Sequence, residues 1–168
     1  EYGTKLRVEV LPDVGYELVS LKANGEAIIN DTVTITKATD IVAVFAKQQF
    51  PVNFTQPAGG TLKLYNGDTE IESGVLVEYG TKLRVEALPG TGYELVSLQA
   101  NGQAITNDTV TVTGVTEIVA QFAKQQFPVN FTQPAGGTLK VLRGTTEIES
   151  GAQVEHGTKL RVKALPDT

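Results

Sequence analysis

Cysteine, methionine and tryptophan are missing from this chain, and histidine occurs once, as His156. Without cysteine the fold cannot use disulfides, and thiolate metal sites are excluded. A lone histidine lacks the partners of a catalytic base or a metal cluster, so we interpret His156 as a solvated turn residue. No set of nucleophile, base and orienting group stands out in the sequence. We therefore expect no catalytic, cofactor-binding or metal-binding residues, no cofactor and no enzymatic activity.

Charge is modest and dispersed. The formal net charge is −5 and the isoelectric point is about 4.9, with lysines and arginines such as Lys82 and Arg84 standing singly. This distribution argues against nucleic acid and anionic membrane surfaces as partners. No apolar run approaches the ~20 residues that span a bilayer, so we expect no membrane insertion. Apolar residues make up 40% of the chain, which is a folding composition.

The main positive feature is an internal repeat. Glu1–Val8 returns as Glu78–Val85 and, with His156 in place of tyrosine, as Glu155–Val162. Both intervals are 77 residues (78 − 1 and 155 − 78), and roughly 60 positions are identical between the first two periods. Near-identical tandem copies are typical of stalks, fibres and multivalent surfaces, which favours a structural or binding role. Because Glu1 falls inside a repeat, we expect the chain to be a fragment or a processed product.

Apolar and polar residues alternate with a period of two. Leu83 and Val85 would face one side of a strand, and Lys82 and Arg84 the other. Together with the turn residues, this pattern predicts strands near 51–56, 61–65, 69–73, 81–88, 93–100, 108–113 and 116–123. We therefore expect an all-β fold of tandem small β-sheet or sandwich modules of about 77 residues, with a strongly bent sheet as the alternative.

Two Asn-Gly dipeptides predict tight hairpins. A type I′ turn needs positive φ at both central residues, which suits Asn66-Gly67 and Asn101-Gly102. The repeats also differ by apolar-to-polar exchanges, which are tolerated only where the side chain faces water. Four such pairs predict outward positions: Val44 and Gln121, Lys22 and Gln99, Ile29 and Thr106, and Leu76 and Gln153.

The short polar segments Ala46–Gln49 and Ala123–Gln126 are the best module boundaries. Each precedes Phe-Pro, and Pro51 or Pro128 fits the first residue of an edge strand, where no ladder donor is lost. We therefore predict a C-terminal part of a module at 1–49, a complete module at 50–126 and an N-terminal part at 127–168, called below the first, middle and last copies. The alternative phase places boundaries before Glu1, Glu78 and Glu155.

Several segments carry a family resemblance. Thr81–Pro89, Gly92–Gly102 and Thr111–Phe122 together resemble the divergent internalin-B-type B-repeat, related to the Listeria–Bacteroides repeats. The chain departs from that pattern at Leu98 and Leu21, where the family usually has tryptophan. The resemblance covers essentially the whole chain and rests mostly on core and turn residues.

The resemblance implies compact β-rich modules, often grasp-like, in tandem on large bacterial cell-surface or secreted proteins. It therefore implies an extracellular or cell-surface location and a role as a spacer or weak adhesion module. No catalytic residues belong to the family, so none is carried over to this chain.

Three functions remain open at this point. The first is a non-enzymatic stalk or spacer in an elongated array, whose partners are neighbouring repeats and whose short linkers limit bending. The second is a fibre subunit joined head to tail by complementation between the first copy of one chain and the last copy of another. The third is an adhesin module that binds a glycan or a host surface protein, with Tyr65, Tyr79 and Tyr93 as contact residues.

Two short motifs have ordinary explanations. Leu88–Gly92 matches the sortase pattern LPxTG, but another strand should follow it, so we interpret it as a strand end and a turn. Leu165–Thr168 would be the remnant of sortase cleavage, or simply the same turn repeated. A calcium loop of EF-hand type is not expected, and a weak calcium site at Asp31 or Asp108 stays open as an alternative.

Overall fold

The computed structural model describes residues 2–167, so Glu1 and Thr168, and with Thr168 the alternative of sortase cleavage, lie outside the described residues. About 60% of the chain is strand, and the described residues contain no helix. The prediction of an all-β fold is confirmed.

Nineteen strands follow one another along the described chain. The first five are β1 Thr4–Arg7, β2 Tyr16–Ala23, β3 Glu26–Ala27, β4 Thr32–Ile35 and β5 Ile41–Lys47. The next nine are β6 Gln49–Phe54, β7 Gly60–Asn66, β8 Thr69–Ile71, β9 Val75–Glu78, β10 Lys82–Pro89, β11 Tyr93–Ala100, β12 Gln103–Ala104, β13 Thr109–Thr111 and β14 Thr116–Lys124. The last five are β15 Gln126–Val129, β16 Gly137–Arg143, β17 Thr146–Ile148, β18 Ala152–Glu155 and β19 Leu160–Pro166.

Each strand expected from the alternation is present, and two others escaped the sequence pattern. β12 has only two residues, so it is too short to show alternation. β9 contains the sequence Val-Leu-Val, whose unbroken apolar run hides the period of two. The strands of the first and last copies recur at the repeat spacing, so that β2 corresponds to β11 and β19 to β10.

The strands form six sheets. Those of the middle copy have the orders β13-β10-β7-β8 and β12-β11-β14-β6-β9. Those of the first copy are β1-β4 and β3-β2-β5, and those of the last copy are β15-β18 and β17-β16-β19. The pair of β14 and β6 is parallel, with Thr116, Glu117 and Ile118 opposite residues 52–54.

The chain divides into two compact units. The first comprises Glu1–Phe54, Leu64–Val85 and Thr106–Ile118, and the second comprises Thr55–Lys63, Glu86–Ile105 and Val119–Thr168. In the first unit β2 pairs with β5 from Tyr16 to Ala23, with a register shift between Leu18 and Ser20. In the second unit β16 pairs antiparallel with β19 along its whole length.

Burial follows the predicted alternation. Leu83 and Val85 are completely buried, whereas Lys82 and Arg84 between and beside them are exposed. The other buried apolar residues of the middle copy are Val52, Leu62, Leu64, Val77, Val112, Ile118 and Ala120. In the last copy Val141, Ile148 and Val154 form a small cluster, against which Val129, Phe131, Ala152 and Leu160 pack.

The positions that change from apolar to polar between repeats face water, as predicted. Ile29, Val44 and Leu76 are exposed, and so are their polar counterparts in the following repeat. Gln99 is half-buried, so it is less exposed than the prediction requires.

One hairpin prediction is confirmed and the other is wrong by one residue. Asn101 and Gly102 have φ values of 48° and 78°, as a type I′ turn requires. Asn66, in contrast, belongs to β7 and pairs with Thr69, so the two central residues are Gly67 and Asp68. Gly67 supplies the positive φ, at 60°. Because β7 extends to Asn66, one residue beyond its predicted end at 65, the turn begins one residue later.

Neither Pro51 nor Pro128 begins a strand, contrary to the prediction, since Pro128 is the third residue of β15. β6 starts at Gln49 and lies between β14 and β9 in its sheet. Pro51 is opposite Leu76 of β9, and the pairing with β14 begins one residue later, at Val52. The missing N–H of Pro51 is tolerated within the strand because β14, the neighbour on the other side, pairs with β6 only from Val52 onward.

The contrast between Leu83 and Leu6 makes a stability prediction. Leu83 is completely buried, whereas Leu6, in the same local sequence, is 43% exposed. Leu83→Ala should lower the free energy of unfolding by about 2–5 kcal/mol, since it leaves a cavity. Leu6→Ala should lower it by only about 1 kcal/mol. Thermal and denaturant unfolding followed by circular dichroism measures both, and equal losses would contradict the assigned core.

Candidate functional site: a repeated strand junction

Gln48, the single residue between β5 and β6, connects three parts of the chain. Its backbone N–H donates to the carbonyl oxygen of Gly15 at 2.8 Å, and its carbonyl oxygen accepts from the N–H of Tyr79, also at 2.8 Å. Gly15 immediately precedes β2, and Tyr79 immediately follows β9. We call Gly15, Lys47, Gln48, Glu78 and Tyr79 the first strand junction.

The aromatic ring of Tyr79 packs directly against Gly15 in this junction. Gly15 is buried and has a φ of 81°, a conformation that L side chains rarely adopt. A Cβ atom placed on Gly15 would fall inside the ring of Tyr79. Glycine is therefore required here both for its backbone conformation and for the close approach of the ring.

An ion pair lies beside the ring. The Nζ of Lys47 is 3.4 Å from the Oε2 of Glu78, and both side chains are about half exposed. An ion pair this exposed contributes at most ~1 kcal/mol, so it orients the two strand ends more than it stabilises them.

The same arrangement recurs one repeat later. The backbone N–H of Gln125 donates to Gly92 at 2.9 Å, and its carbonyl oxygen accepts from the N–H of His156 at 2.8 Å. The Nζ of Lys124 is 3.2 Å from the Oε2 of Glu155. We call Gly92, Lys124, Gln125, Glu155 and His156 the second strand junction.

His156 takes the place of the tyrosine ring in the second junction. A Cβ on Gly92, whose φ is 78°, would fall inside the imidazole, and the ring of Phe127 lies tilted at 59° to it with 6.3 Å between centroids. His156 is exposed and lies in a turn, as the sequence predicts. The corresponding residue of the first copy, Tyr2, is 86% exposed.

Sequence reasoning treated the segments around Gln48 and Gln125 as polar linkers and missed these hydrogen bonds. The bonds use backbone atoms, so they do not depend on which side chains residues 48 and 125 carry. The available signal was indirect, namely Gly-Tyr at the start of β2 and β11 combined with a ring at positions 79 and 156.

The three tyrosines suggested as ligand contacts all have packing roles. The guanidinium of Arg84 lies 4.0 Å from the ring centroid of Tyr65, in cation–π geometry. Tyr79 covers Gly15, and Tyr93 covers Gly59 in the same manner. All three tyrosines are half-buried.

The aspartates considered for calcium lie in tight turns. Asp31 and Asp108 have φ values of 53° and 51°, and their carbonyl oxygens accept from the N–H groups of Val8 and Val85. Among residues 2–167 no group of three or more histidine, cysteine, aspartate or glutamate side chains is placed to hold a metal ion. The LPxTG match at Leu88–Gly92 spans the end of β10 and the following turn, as predicted.

Comparison with known proteins identifies the family. The sequence profile of the divergent InlB B-repeat domain matches residues 1–49 and 50–126, three quarters of the 168 residues. The chain belongs to this B-repeat family. No curated protein and no solved structure matches the chain.

B-repeats are typical of bacterial surface proteins. In this B-repeat chain, none of the residues that the structure describes belongs to a helix of sufficient length and apolarity to cross a membrane. Gln48 of the first strand junction lies one residue before the end of the first matched segment, and Gln125 of the second junction lies one residue before the end of the second.

Two glycines with the same φ test the ring contact. Gly92 and Gly102 both have a φ of 78°, but a Cβ on Gly102 would meet no atom within 4 Å in the described chain. Gly102→Ala should lower the free energy of unfolding by about 1–2 kcal/mol through backbone strain alone. Gly92→Ala should lower it by about 1–3 kcal/mol more, because the methyl group displaces His156. Equal losses in denaturant unfolding would show that the ring contact is unimportant.

Proposed function

We propose that the chain is a non-enzymatic spacer of a bacterial surface or secreted protein, in which the strand junctions hold consecutive repeats in a fixed relation. The observation that carries this proposal is the pair of backbone hydrogen bonds at Gln48, repeated at Gln125. A flexible linker would leave its backbone groups to water, whereas here both groups of the connecting residue are paired.

The mechanism of such a spacer is geometric. A compact module of this size has a radius of gyration of about 11–12 Å, so each repeat would extend an elongated array by roughly 30–40 Å. Because β5 leads through Gln48 directly into β6, no residues are available for a free hinge. Repeat number would then determine reach, and the natural partners of a repeat would be its neighbours.

Catalysis forms no part of this proposal. His156 is the sole histidine, and its ring packs on Gly92 in the second junction. A histidine that acts as a general base needs a nucleophile within hydrogen-bond reach and a group that orients it. The role assigned to His156 is that of a packing ring in place of tyrosine.

Adhesion has less support than spacing. Tyr65, Tyr79 and Tyr93 are each engaged with Arg84 or with a glycine, so their faces are already in use. A repeated adhesive surface would also need the same aromatic residue in each copy, and Tyr65 is replaced by Leu142 one repeat later.

The spacer proposal predicts a narrow distance distribution across the first junction. Since the chain has no cysteine, spin labels attach only to cysteines introduced at two exposed positions, Glu26 and Asp68. Electron–electron double resonance should give one narrow distance in this labelled chain. Gln48→Pro removes the N–H that donates to Gly15 and should broaden the distribution.

Gln48→Ala is the matched control, since it retains both backbone hydrogen bonds, and its distribution should stay narrow. A broad distribution in the chain with glutamine at position 48 would overturn the spacer proposal. Broadening by Gln48→Ala as much as by Gln48→Pro would show that the backbone bonds are not what fixes the repeats.

A further inference from the structure

The strand that enters the middle copy and the strand that leaves it lie side by side. β6 begins at Gln49, immediately after Gln48 of the first strand junction, and β14 ends at Lys124 of the second. In the sheet order β12-β11-β14-β6-β9 these two strands are direct neighbours. Their pairing is parallel, with residues 52–54 opposite residues 116–118. We call these six residues the shear pair.

The parallel direction determines how tension along the chain would act on the shear pair. A pull on the preceding repeat draws β6 toward its N-terminal end, and a pull on the following repeat draws β14 toward its C-terminal end. Because the two strands run in the same direction, these pulls slide one strand along the other. The hydrogen bonds of a sheet run between the strands, so sliding loads all the bonds of the pair at the same time.

Asn53 carries the backbone groups that meet β14. The carbonyl oxygen of Val52 accepts from the N–H of Gly74 at 2.7 Å. The N–H of Phe54 donates to the Oγ of Ser73 at 2.8 Å. Residues 73 and 74 immediately precede β9, so residues 52 and 54 direct these groups toward the β9 side of β6. Successive residues of a strand direct their backbone groups to opposite sides, so those of Asn53 point toward β14.

Buried side chains shelter one face of the shear pair from water. Val52 is completely buried, and Thr116 and Ile118 are 3% and 1% exposed. Water that reached the strands could replace each hydrogen bond as it stretched, so the sheltered bonds must break before water can take their place. β6 is also held on its other side, where Gln49–Val52 pairs antiparallel with β9.

We propose that the middle copy is a force-bearing module, in which the shear pair resists tension carried along the chain. This role rests on the spacer function proposed above, because only a segment fixed between other parts of a protein is placed under tension. It adds a mechanical resistance that spacing alone does not require. The load falls on the backbone hydrogen bonds between Asn53 and β14.

Single-molecule force spectroscopy of the full chain tests this role by changing only the direction of pulling. The chain has no cysteine, so handles attach only at introduced ones. Gln49→Cys with Ala123→Cys gives the along-strand attachment, which slides β6 and β14 past each other. Gln49→Cys with Thr113→Cys gives the same-end attachment, which separates the strands one bond after another. All three positions are exposed.

The register explains why the second attachment peels the strands apart. Gln49 precedes Val52 by three residues, and Thr113 precedes Thr116 by three residues. Since Val52 is opposite Thr116, both handles are at the N-terminal end of the shear pair. The amino-acid sequence of the shear pair is unchanged in both labelled chains.

The two attachments should give different unfolding forces. At the same loading rate, the force that unfolds the middle copy should be about twofold or more larger with the along-strand attachment. The released length identifies the event, since each freed residue adds roughly 3.5 Å of extended chain. Both labelled chains should have the same free energy of unfolding in denaturant, which has no pulling direction. Equal forces in the two directions would overturn the force-bearing role.

Asn53→Pro weakens the shear pair itself. The substitution removes the N–H that points toward β14, so the unfolding force of the along-strand attachment should fall toward that of the same-end attachment. Circular dichroism verifies that the variant is folded, and denaturant unfolding measures its loss of stability. If Asn53→Pro does not fold, the comparison of the two pulling directions still decides the question.

Ile71→Pro is the matched control, because it places a proline in a strand outside the shear pair. Ile71 is half-buried in β8 and lies opposite Leu64 of β7. The proline removes a ladder N–H and part of an apolar side chain. For a comparable loss in free energy of unfolding, Ile71→Pro should lower the along-strand unfolding force much less than Asn53→Pro does. An equal fall in force would show that overall stability, and not the shear pair, sets the resistance.

The outcomes separate the force-bearing role from the spacer function. The spin-label distances across the first junction test spacing without any applied force. Equal forces in the two directions, together with a narrow distance distribution, overturn the force-bearing role and leave the spacer proposal standing. A broad distribution with a larger along-strand force overturns the spacer proposal and leaves the resistance of the module itself.

Discussion

The parallel pairing of β6 with β14 is the constraint on which the middle copy depends. It joins the beginning of the copy to its end, with Val52 opposite Thr116 and Phe54 opposite Ile118. Ile118 is buried where this pairing exists, and its counterpart Ile41 is exposed where it does not. A module of about 77 residues has a small core, so the presence or absence of one strand pair changes the burial of several side chains.

The local part of the fold could be predicted from the sequence, and the long-range part could not. The alternation at Leu83 and Val85 correctly predicted which face of the strand is buried. Successive side chains of a strand point to opposite faces, so this pattern is set by residues that are adjacent in sequence. The turn at Asn66 was misplaced, since its position is fixed by the length of β7 and by the partner Thr69. Pro51 was misassigned for the same reason, because edge or interior status depends on which strands arrive from elsewhere in the chain.

The strand junction shows why its residues escaped detection. Its hydrogen bonds join the backbone of Gln48 to Gly15 and Tyr79, which are distant in sequence, and backbone atoms place no demand on side-chain identity. A flat aromatic ring after β9 or β18 is sufficient to cover the glycine, so the second junction can use histidine at position 156 where the first uses tyrosine at position 79. The invariant requirement is for the glycine, since its φ and the approach of the ring both exclude a side chain.

The proposed spacer role rests on the same strand junctions. A repeat whose last strand leads directly into the next module needs a stiff connection for this role. The paired backbone groups of Gln48 and the ring of Tyr79 packed on Gly15 would supply that stiffness whichever side chain stands at position 48.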